Sequence, residues 1–74
     1  MKNWVKVERA KRNITQAELA DALGVSRQTI NSMELNKFVP STVLALRIAH
    51  YFNVKVEDIF FLDDEEKITS VLNR

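Results

Sequence analysis

Four polar side chains stand close together in the middle of the chain, at spacings that put them on one face of a helix. They are Arg27, Gln28, Asn31 and Ser32. An arginine guanidinium can hold the O6 and N7 acceptors of guanine, and a glutamine amide can pair with N6 and N7 of adenine. Solvated helix faces carry such side chains as well, so the residue types alone do not separate a base-reading surface from an ordinary polar one. The elements around this face have to decide between the two interpretations.

Two helix starts frame the polar face. Thr15 and Glu18 form a capping box, which predicts a helix that begins at Gln16 and ends at Gly24. Ser26 is a favourable N-cap for a second helix, which we expect to run to about residue 35. Apolar residues mark the inner faces of the two helices: Leu19, Ala20, Leu23, Ile30 and Met33. Two short helices joined by a turn of about three or four residues form a helix-turn-helix.

Residues 15–37, which read TQAELADALGVSRQTINSMELNK, resemble the DNA-binding helix-turn-helix of the Cro and repressor family, also called the Xre-like family. The similarity continues through Pro40, Ser41 and residues 47–49, so that it covers roughly residues 5–61. It implies an all-α fold, a compact five-helix, lambda-repressor-like DNA-binding domain with a central helix-turn-helix. The chain is similar to the small stand-alone members of this family.

The resemblance assigns roles to individual side chains. It implies base contacts from Arg27, Gln28, Asn31 and Ser32, although Arg27 can take a phosphate instead and Asn31 can face solvent only. It implies phosphate contacts from Gln16, Ser26, Thr29, Asn36 and Lys37. Phosphate contacts set the register of a protein on the duplex, whereas base contacts carry the sequence information.

One pair of the family is structural. The resemblance implies a salt bridge between Arg9 and Glu34. This salt bridge fixes the first helix of the chain against the recognition helix, which is the second helix of the helix-turn-helix. The alternative is an exposed ion pair that contributes about 0–1 kcal/mol. The family usually has Glu-Asn-Gly-Lys where this chain has residues 34–37 as Glu-Leu-Asn-Lys. We therefore expect Asn36 to adopt the left-handed conformation and Leu35 to cover apolar surface beside Phe38.

Apolar periodicity predicts three further helices. The first spans residues 5–12, with Val5 and Ala10 inward and Lys6, Lys11 and Arg12 toward solvent. The fourth follows Ser41 and reaches Phe52, and its expected core face is Ala45, Leu46, Ile48, Ala49 and Phe52. Three apolar residues of that helix remain: Val43, Leu44 and Tyr51. They indicate either deeper burial or a dimer interface. A short fifth helix is expected from Val56 to about Phe60.

The chain divides into a helix-turn-helix domain at residues 1–62 and an acidic, amphipathic tail at residues 63–74. The tail begins with four acidic residues and continues with Ile68, Val71 and Leu72 at helical spacing. Three conformations fit this pattern: an amphipathic helix that starts near Asp64, a strand that pairs across a dimer, or a loose end. The spacing favours the helix.

Composition excludes several classes of protein. The 74 residues include no cysteine and one histidine, His50, so we expect no disulfide, no metal site and no cofactor. Gly24 is the only glycine, which excludes a glycine-rich nucleotide loop, and no catalytic constellation is visible. No stretch approaches the roughly 20 apolar residues of a membrane span, so a cytoplasmic protein without membrane contact is expected.

The net charge of +1 is unevenly distributed. Residues 1–40 hold seven Lys or Arg against four Asp or Glu, a net charge of +3. Residues 41–74 hold four against six, a net charge of −2. The half that contains the helix-turn-helix is therefore the half suited to a polyanion.

These features predict a sequence-specific regulator of transcription, a repressor that binds double-stranded DNA as a homodimer. Its operator is expected to be nearly palindromic, with half-sites about 34 Å apart. A first alternative is the antitoxin of a toxin–antitoxin pair, with the toxin held by the tail or by an exposed apolar face. A second is a protein-interaction module that kept the fold and lost DNA binding.

Overall fold

Five α-helices and a two-stranded sheet make up the part of the chain that the structure, a computed structural model, describes, residues 1–73. The elements follow in the order β1 (Lys2–Asn3), α1 (Val5–Lys11), α2 (Gln16–Leu23), α3 (Arg27–Glu34), α4 (Thr42–Phe52), α5 (Val56–Ile59) and β2 (Phe60–Phe61). Two 3-10 turns follow, Asp64–Glu66 and Val71–Asn73. The prediction of a mostly helical, five-helix domain with a central helix-turn-helix is confirmed.

The ends of α2 and α3 are set by local hydrogen bonds. The Thr15 hydroxyl accepts from the backbone N–H of Glu18 at 3.0 Å, and the Glu18 carboxylate accepts from the backbone N–H of Thr15 at 3.0 Å. Gly24 ends α2 in the left-handed region with φ of 70°. The Ser26 hydroxyl then accepts from the backbone N–H of Thr29 at 3.1 Å and caps α3. Residues 24–26 separate α2 from α3, so the predicted short turn between the two helices is confirmed.

One core joins the five helices. Its buried apolar side chains are Val5, Leu19, Ala20, Leu23, Ile30, Met33, Ala45, Ile48, Ala49, Phe52, Ile59 and Phe60. Ile14, in the link between α1 and α2, packs against this cluster. Three asparagines, Asn13, Asn36 and Asn53, end helices or turns with positive φ of 54°, 60° and 56°. Asparagine tolerates this conformation better than other residues that have a Cβ, so the predicted left-handed Asn36 is confirmed.

The inner face of α1 differs from the prediction. Ala10 is exposed, and the side chains that follow Val5 at helical spacing toward the core are Glu8 and Arg9. Arg12 is exposed, as predicted, but its guanidinium also donates to the Phe52 carbonyl at 2.8 Å and lies 5.0 Å from the centre of the Phe52 ring. A helix can bury charged groups where each finds a partner, and apolar periodicity does not detect such a face.

The inner face of α4 also needs one correction. Leu46 was expected in the core but is 51% exposed. The buried residues of α4 are Ala45, Ile48, Ala49 and Phe52, which follow the i, i+3, i+4, i+7 pattern. Leu46 lies about 100° around the helix from Ala45 and therefore falls outside this stripe. Leu44 takes a place at its edge and packs against the core.

The small sheet was not predicted from the sequence. β1 and β2 pair antiparallel, with Lys2 opposite Phe61 and Asn3 opposite Phe60. The predicted fifth helix therefore ends one residue early, at Ile59, and Phe60 is a strand residue with φ of −121° and ψ of 137°. Two-residue strands are too short to show alternation, so their pairing is visible only in the folded chain.

The expected helix in the tail is wrong for the part of the tail that the structure describes. Asp64–Glu66 and Val71–Asn73 are single 3-10 turns with extended chain between them. The apolar side chains of the tail stay exposed: Ile68 at 91%, Val71 at 69% and Leu72 at 89%. An isolated helix of this length is marginal in water, and no buried face here compensates for the unfavourable nucleation.

Candidate nucleic-acid interface

Helix α3 presents one polar face and buries the opposite one. Arg27, Gln28 and Asn31 are exposed, whereas Ile30 and Met33 have no solvent-accessible surface. Ser32 and Thr29 lie between these extremes and are half-buried. The two buried side chains anchor α3 in the core, so the orientation of its polar face is fixed by packing. The major groove of DNA admits an α-helix, so α3 can enter it with this face toward the bases.

A shallow polar depression lies beside the face. It is lined by Ser26, Gln28, Thr29, Ser32, Lys37 and Phe38. The structure thus brings two of the predicted base-contacting side chains, Gln28 and Ser32, together with three of the predicted phosphate-contacting ones. Arg27, Asn31, Gln16 and Asn36 lie outside the depression. Arg27 and Asn31 are neighbours of it on α3, and Asn36 lies in the turn that follows that helix.

A hydrogen-bond network ties the polar face to α1 and α2. Arg9 donates to both carboxylate oxygens of Glu34, through Nε at 2.6 Å and Nη2 at 2.9 Å. The Nε2 group of Gln16 donates to Oε1 of Glu34 and to Oδ1 of Asn31, each at 3.1 Å. Arg9 also donates through Nη1 to the carbonyl of Ile14 at 2.8 Å. The first residue of α2 is therefore bonded directly to the exposed face of α3.

The ion pair at the centre of this network is largely buried. The side chains of Arg9 and Glu34 are 13% and 4% exposed. The hydrogen bonds that Arg9 donates to Glu34 raise the pKa of the Arg9 guanidinium above its ordinary value, against the opposing effect of burial. This geometry is a two-point, charge-assisted contact rather than an exposed surface pair. It holds α1 and α3 in one relative orientation.

Two of the three cationic side chains that remain unpaired in residues 1–40 lie beside α3. Four of the seven cationic side chains in residues 1–40 pair with carboxylates: Lys2, Arg9, Lys11 and Arg12. Lys6 in α1, Arg27 at the start of α3 and Lys37 in the turn after α3 form no ion pair with any residue of the described chain. Cations that are not neutralised internally remain available to phosphates.

Sequence reasoning missed two residues, Asn3 beside this surface and Glu8 in α1. Asn3 donates through Nδ2 to the carbonyl of Met33 at 3.0 Å and to Oδ1 of Asn36 at 3.3 Å, which ties β1 to the end of α3. Glu8 is buried, and Arg12 donates to its carboxylate at 2.6 Å. This hydrogen bond is the main reason why the pKa of Glu8 is lowered. Its place three residues after Val5, on the inner stripe of α1, is the sequence signal that could have identified it.

An apolar groove lies between the end of α2 and α4. It is lined by Ala22, Leu23, Val43, Leu46, Arg47, His50 and Tyr51. Val43 and Tyr51, two of the predicted interface residues, belong to it and are 67% and 43% exposed. Leu44, the third, is half-buried against the core and is not part of the groove. Leu46 occupies the place in this exposed stripe that the sequence analysis gave to Leu44.

Residues 1–73 contain neither a candidate metal site nor a candidate membrane-spanning helix. No group of three His, Cys, Asp or Glu side chains in that range is arranged to hold a metal ion. None of the helices described has both the length and the apolar character that crossing a bilayer requires.

Comparison with known proteins identifies the fold and its class. A family profile described as helix-turn-helix matches residues 5–59. The chain is also 54% identical over 66 residues to a protein of Methanocaldococcus jannaschii named as an uncharacterized HTH-type transcriptional regulator, covering 89% of this chain and 100% of that protein. The chain belongs to the Cro/C1-type helix-turn-helix family.

Further relatives of this Cro/C1-type protein come from both archaea and bacteria. An HTH-type transcriptional regulator of Archaeoglobus fulgidus is 52% identical over 66 residues, covering 89% of this chain and 93% of the relative. The regulator YgzD of Bacillus subtilis is 45% identical over 65 residues, covering 88% of this chain and 98% of the relative. The resemblance to the Xre-like family is thereby confirmed, and with it a family of DNA-binding transcriptional regulators rather than a class of enzymes.

The departure of this Cro/C1-type protein from the usual family sequence is visible after α3. Leu35, at the place of the family asparagine, is 56% exposed, and neighbouring Phe38 is 41% exposed. The expectation that Leu35 covers apolar surface is therefore not met by this single chain. Asn36 fills the usual glycine position in the left-handed conformation.

Proposed function

We propose that this protein is a sequence-specific, double-stranded DNA-binding repressor of transcription that acts as a homodimer in the cytoplasm. The observation that carries the proposal is the fixed outward orientation of Arg27, Gln28 and Asn31 while Ile30 and Met33 are fully buried. In this proposal Arg27, Gln28, Asn31 and Ser32 contact bases. The phosphate contacts come from Gln16, Ser26, Thr29, Asn36 and Lys37.

The contact to bases requires α3 to lie in the major groove with its N-terminal half toward the bases. Arg27 and Gln28 then stand at the leading end of the helix, where an arginine suits guanine and a glutamine suits adenine. The free N–H groups at the start of α2 face the same backbone and favour a phosphate there. The side-chain N–H groups of Gln16 are already bonded to Glu34 and Asn31, so its phosphate contact uses its backbone N–H.

A dimer follows from the size of the surface. One helix of eight residues is about 12 Å long and reads only a few base pairs. Tight and selective binding requires a larger interface than one such module supplies. Two copies related by a twofold axis would read a nearly palindromic operator with half-sites about 34 Å apart. The exposed stripe of Val43, Leu46 and Tyr51 is the apolar surface that we propose for the dimer contact.

Repression is the simpler mode of regulation for this domain. A dimer seated on an operator that overlaps a promoter excludes polymerase without any further contact. In residues 1–73 the elements that follow β2 are two 3-10 turns, which offer no folded surface for recruiting polymerase. A toxin seated on the apolar groove would make the same domain an antitoxin, and binding to DNA would be common to both roles.

The proposal is tested with the purified protein and a pool of random duplexes. We expect the protein to enrich a nearly palindromic sequence after a few rounds of selection. If each subunit neutralises one phosphate through Lys37, the dimer neutralises about two, and log K falls against log salt with a slope of about −1.8. Enrichment of no sequence, together with a slope near zero, would identify an interaction module that does not bind DNA.

A further inference from the structure

We infer that the Arg9–Glu34–Gln16 chain fixes Asn31 as a hydrogen-bond donor toward DNA, so that Asn31 prefers guanine or thymine to adenine and cytosine. The inference rests on the proposed function and names the base class that one side chain reads. An asparagine in a major-groove helix ordinarily pairs with adenine, because its amide can donate and accept side by side. In this structure the acceptor oxygen of the Asn31 amide is turned toward Gln16.

The polarity of the network follows from the chemistry of its charged end. The Glu34 carboxylate can only accept hydrogen bonds, and both of its oxygens already accept from Arg9. The side-chain atom of Gln16 that lies 3.1 Å from Oε1 of Glu34 must therefore be its NH2 group and not its carbonyl oxygen. The buried ion pair thus sets which way the Gln16 amide is turned.

The same NH2 group determines the orientation of Asn31. It carries two N–H donors, one directed at Glu34 and one at the side chain of Asn31, 3.1 Å away. Only an acceptor satisfies the second donor, so Asn31 turns its carbonyl oxygen inward, toward Gln16. Its Nδ2 group then has no hydrogen-bond partner among residues 1–73 and lies on the exposed side of α3.

The base preference follows from the acceptors of the major groove. Guanine offers N7 and O6 and thymine offers O4, so both can receive the Asn31 NH2 group. Cytosine presents its own N4 donor, which meets another donor. Adenine offers N7 to the same NH2 group, but its N6 donor lies beside N7 and needs the Asn31 oxygen, which is turned toward Gln16. Turning that oxygen outward to pair fully with adenine would break the Gln16 bond and leave a donor unpaired beside a largely buried carboxylate.

The first experiment examines the network without DNA. Hydrogen exchange of the side-chain amides is followed by NMR in the free protein. The Gln16 NH2 protons are expected to exchange about tenfold more slowly than those of Asn31, because both Gln16 protons are hydrogen-bonded. Equal exchange at the two sites would overturn the assigned polarity even if the protein binds DNA.

The second experiment compares selected operators. Randomised duplexes are selected with the wild type, with Asn31→Asp and with Gln16→Ala, and Gln28→Ala serves as a control whose effect must fall at a different base position. Asn31→Asp keeps an acceptor toward Gln16 but presents only acceptors outward. It is expected to change the preferred base at one position per half-site from guanine or thymine to cytosine or adenine, by at least fivefold.

Gln16→Ala releases Asn31 and is expected to bring the ratio of guanine or thymine to adenine at that position close to one. An adenine preference in the wild type, or no change at any position in Asn31→Asp, would overturn the inference and leave the proposed function intact. Failure of the wild type to select any sequence would overturn both.

Discussion

At the scale of single residues, the decisive contact is the ion pair of Arg9 and Glu34. Both side chains are largely buried, and their hydrogen bonds join α1 to the end of α3. A buried pair of this kind contributes little net stability relative to apolar side chains, but the loss of one partner leaves an uncompensated charge. The pair therefore acts on the orientation of α3 as much as on the stability of the fold.

Glu34→Ala is expected to lower the free energy of unfolding by about 3 kcal/mol, because Arg9 stays largely buried without its carboxylate. Urea denaturation followed by circular dichroism measures the change. Glu65→Ala, at an exposed position of the tail, is the matched control and should change the free energy by less than about 0.5 kcal/mol. The double variant Arg9→Met with Glu34→Leu should recover much of the loss. A cost near that of Glu65→Ala would show that the pair is not buried in solution.

Residue types explain which contacts could be predicted from the sequence. The caps at Thr15 and Ser26 were predictable because each acts on a backbone N–H within its own turn. The hydrogen bond of Arg12 was not, because its partner carbonyl belongs to Phe52, 40 residues away. The same reason applies to Asn3, whose two partners lie 30 and 33 residues further along the chain.

At the scale of secondary-structure elements, the N-terminus and the turn after β2 are joined by charge. The Met1 ammonium pairs with Asp63 at 3.1 Å and with Glu66 at 2.8 Å. The hydrogen bond that the Met1 ammonium donates to Glu66, followed by the one it donates to Asp63, raises the pKa of the Met1 amine above its ordinary value of 8.0. The amine in turn lowers the pKa of Glu66 below its ordinary value of 4.5. These contacts add a second connection beside the β1–β2 pairing.

The double variant Asp63→Asn with Glu66→Gln is expected to melt at a lower temperature than the wild type, most clearly between about pH 5 and pH 8. The raised pKa of the amine stabilises the fold below pH 8.0, and this contribution is lost as the pH rises through the folded-state pKa. The lowered pKa of Glu66 stabilises the fold above pH 4.5, and this contribution is lost as the pH falls through its folded-state pKa.

Differential scanning fluorimetry across pH 3–10 measures the effect. Asp64→Asn with Glu65→Gln removes the same charge without touching Met1, and it should leave the pH profile of the wild type nearly unchanged. A gap between wild type and the Asp63/Glu66 variant that stays constant to pH 10 would exclude the amine as the partner.

Elements were predictable where one stretch of chain carries its own signals. Helices α2, α3 and α4 each begin at a capping side chain and bury a stripe at helical spacing, so their existence and type followed from local sequence. The sheet depends on a pairing between residues about 60 positions apart, and two-residue strands give no periodic signal. In the tail, helical spacing predicted a helix that does not form, because no surface buries Ile68 or Leu72.

At the scale of the whole molecule, the apolar groove and the polar face of α3 belong to different surfaces. The groove involves the end of α2 and α4, whereas the face includes the start of α2 only through Gln16. A second copy seated on the groove would therefore leave α3 free for DNA. The exposure of Val43 and Leu46 supports this use of α4, whereas Leu44 is half-buried against the core and is not part of the groove.

Val43→Asp is expected to shift the protein from twice to once the chain mass, because it places a charge in the apolar stripe. Sedimentation velocity over a tenfold range of concentration measures the change. The variant should melt near the temperature at which the wild type melts when it is diluted to the monomer, since Val43 is 67% exposed. Ile68→Asp, which introduces the same charge in the exposed tail, is the control. An unchanged dimer in Val43→Asp would exclude this face as the interface.

The base-reading role of the α3 face is tested most directly by the affinity of Gln28→Ala and Lys37→Ala for the selected operator and for a scrambled duplex of equal length. Gln28→Ala is expected to reduce operator affinity by about 5- to 150-fold, or 1–3 kcal/mol, and to leave scrambled-duplex affinity almost unchanged. Lys37→Ala should weaken both complexes by the same factor, because a phosphate contact carries no sequence information. Equal losses on the two duplexes for Gln28→Ala would contradict base readout by α3.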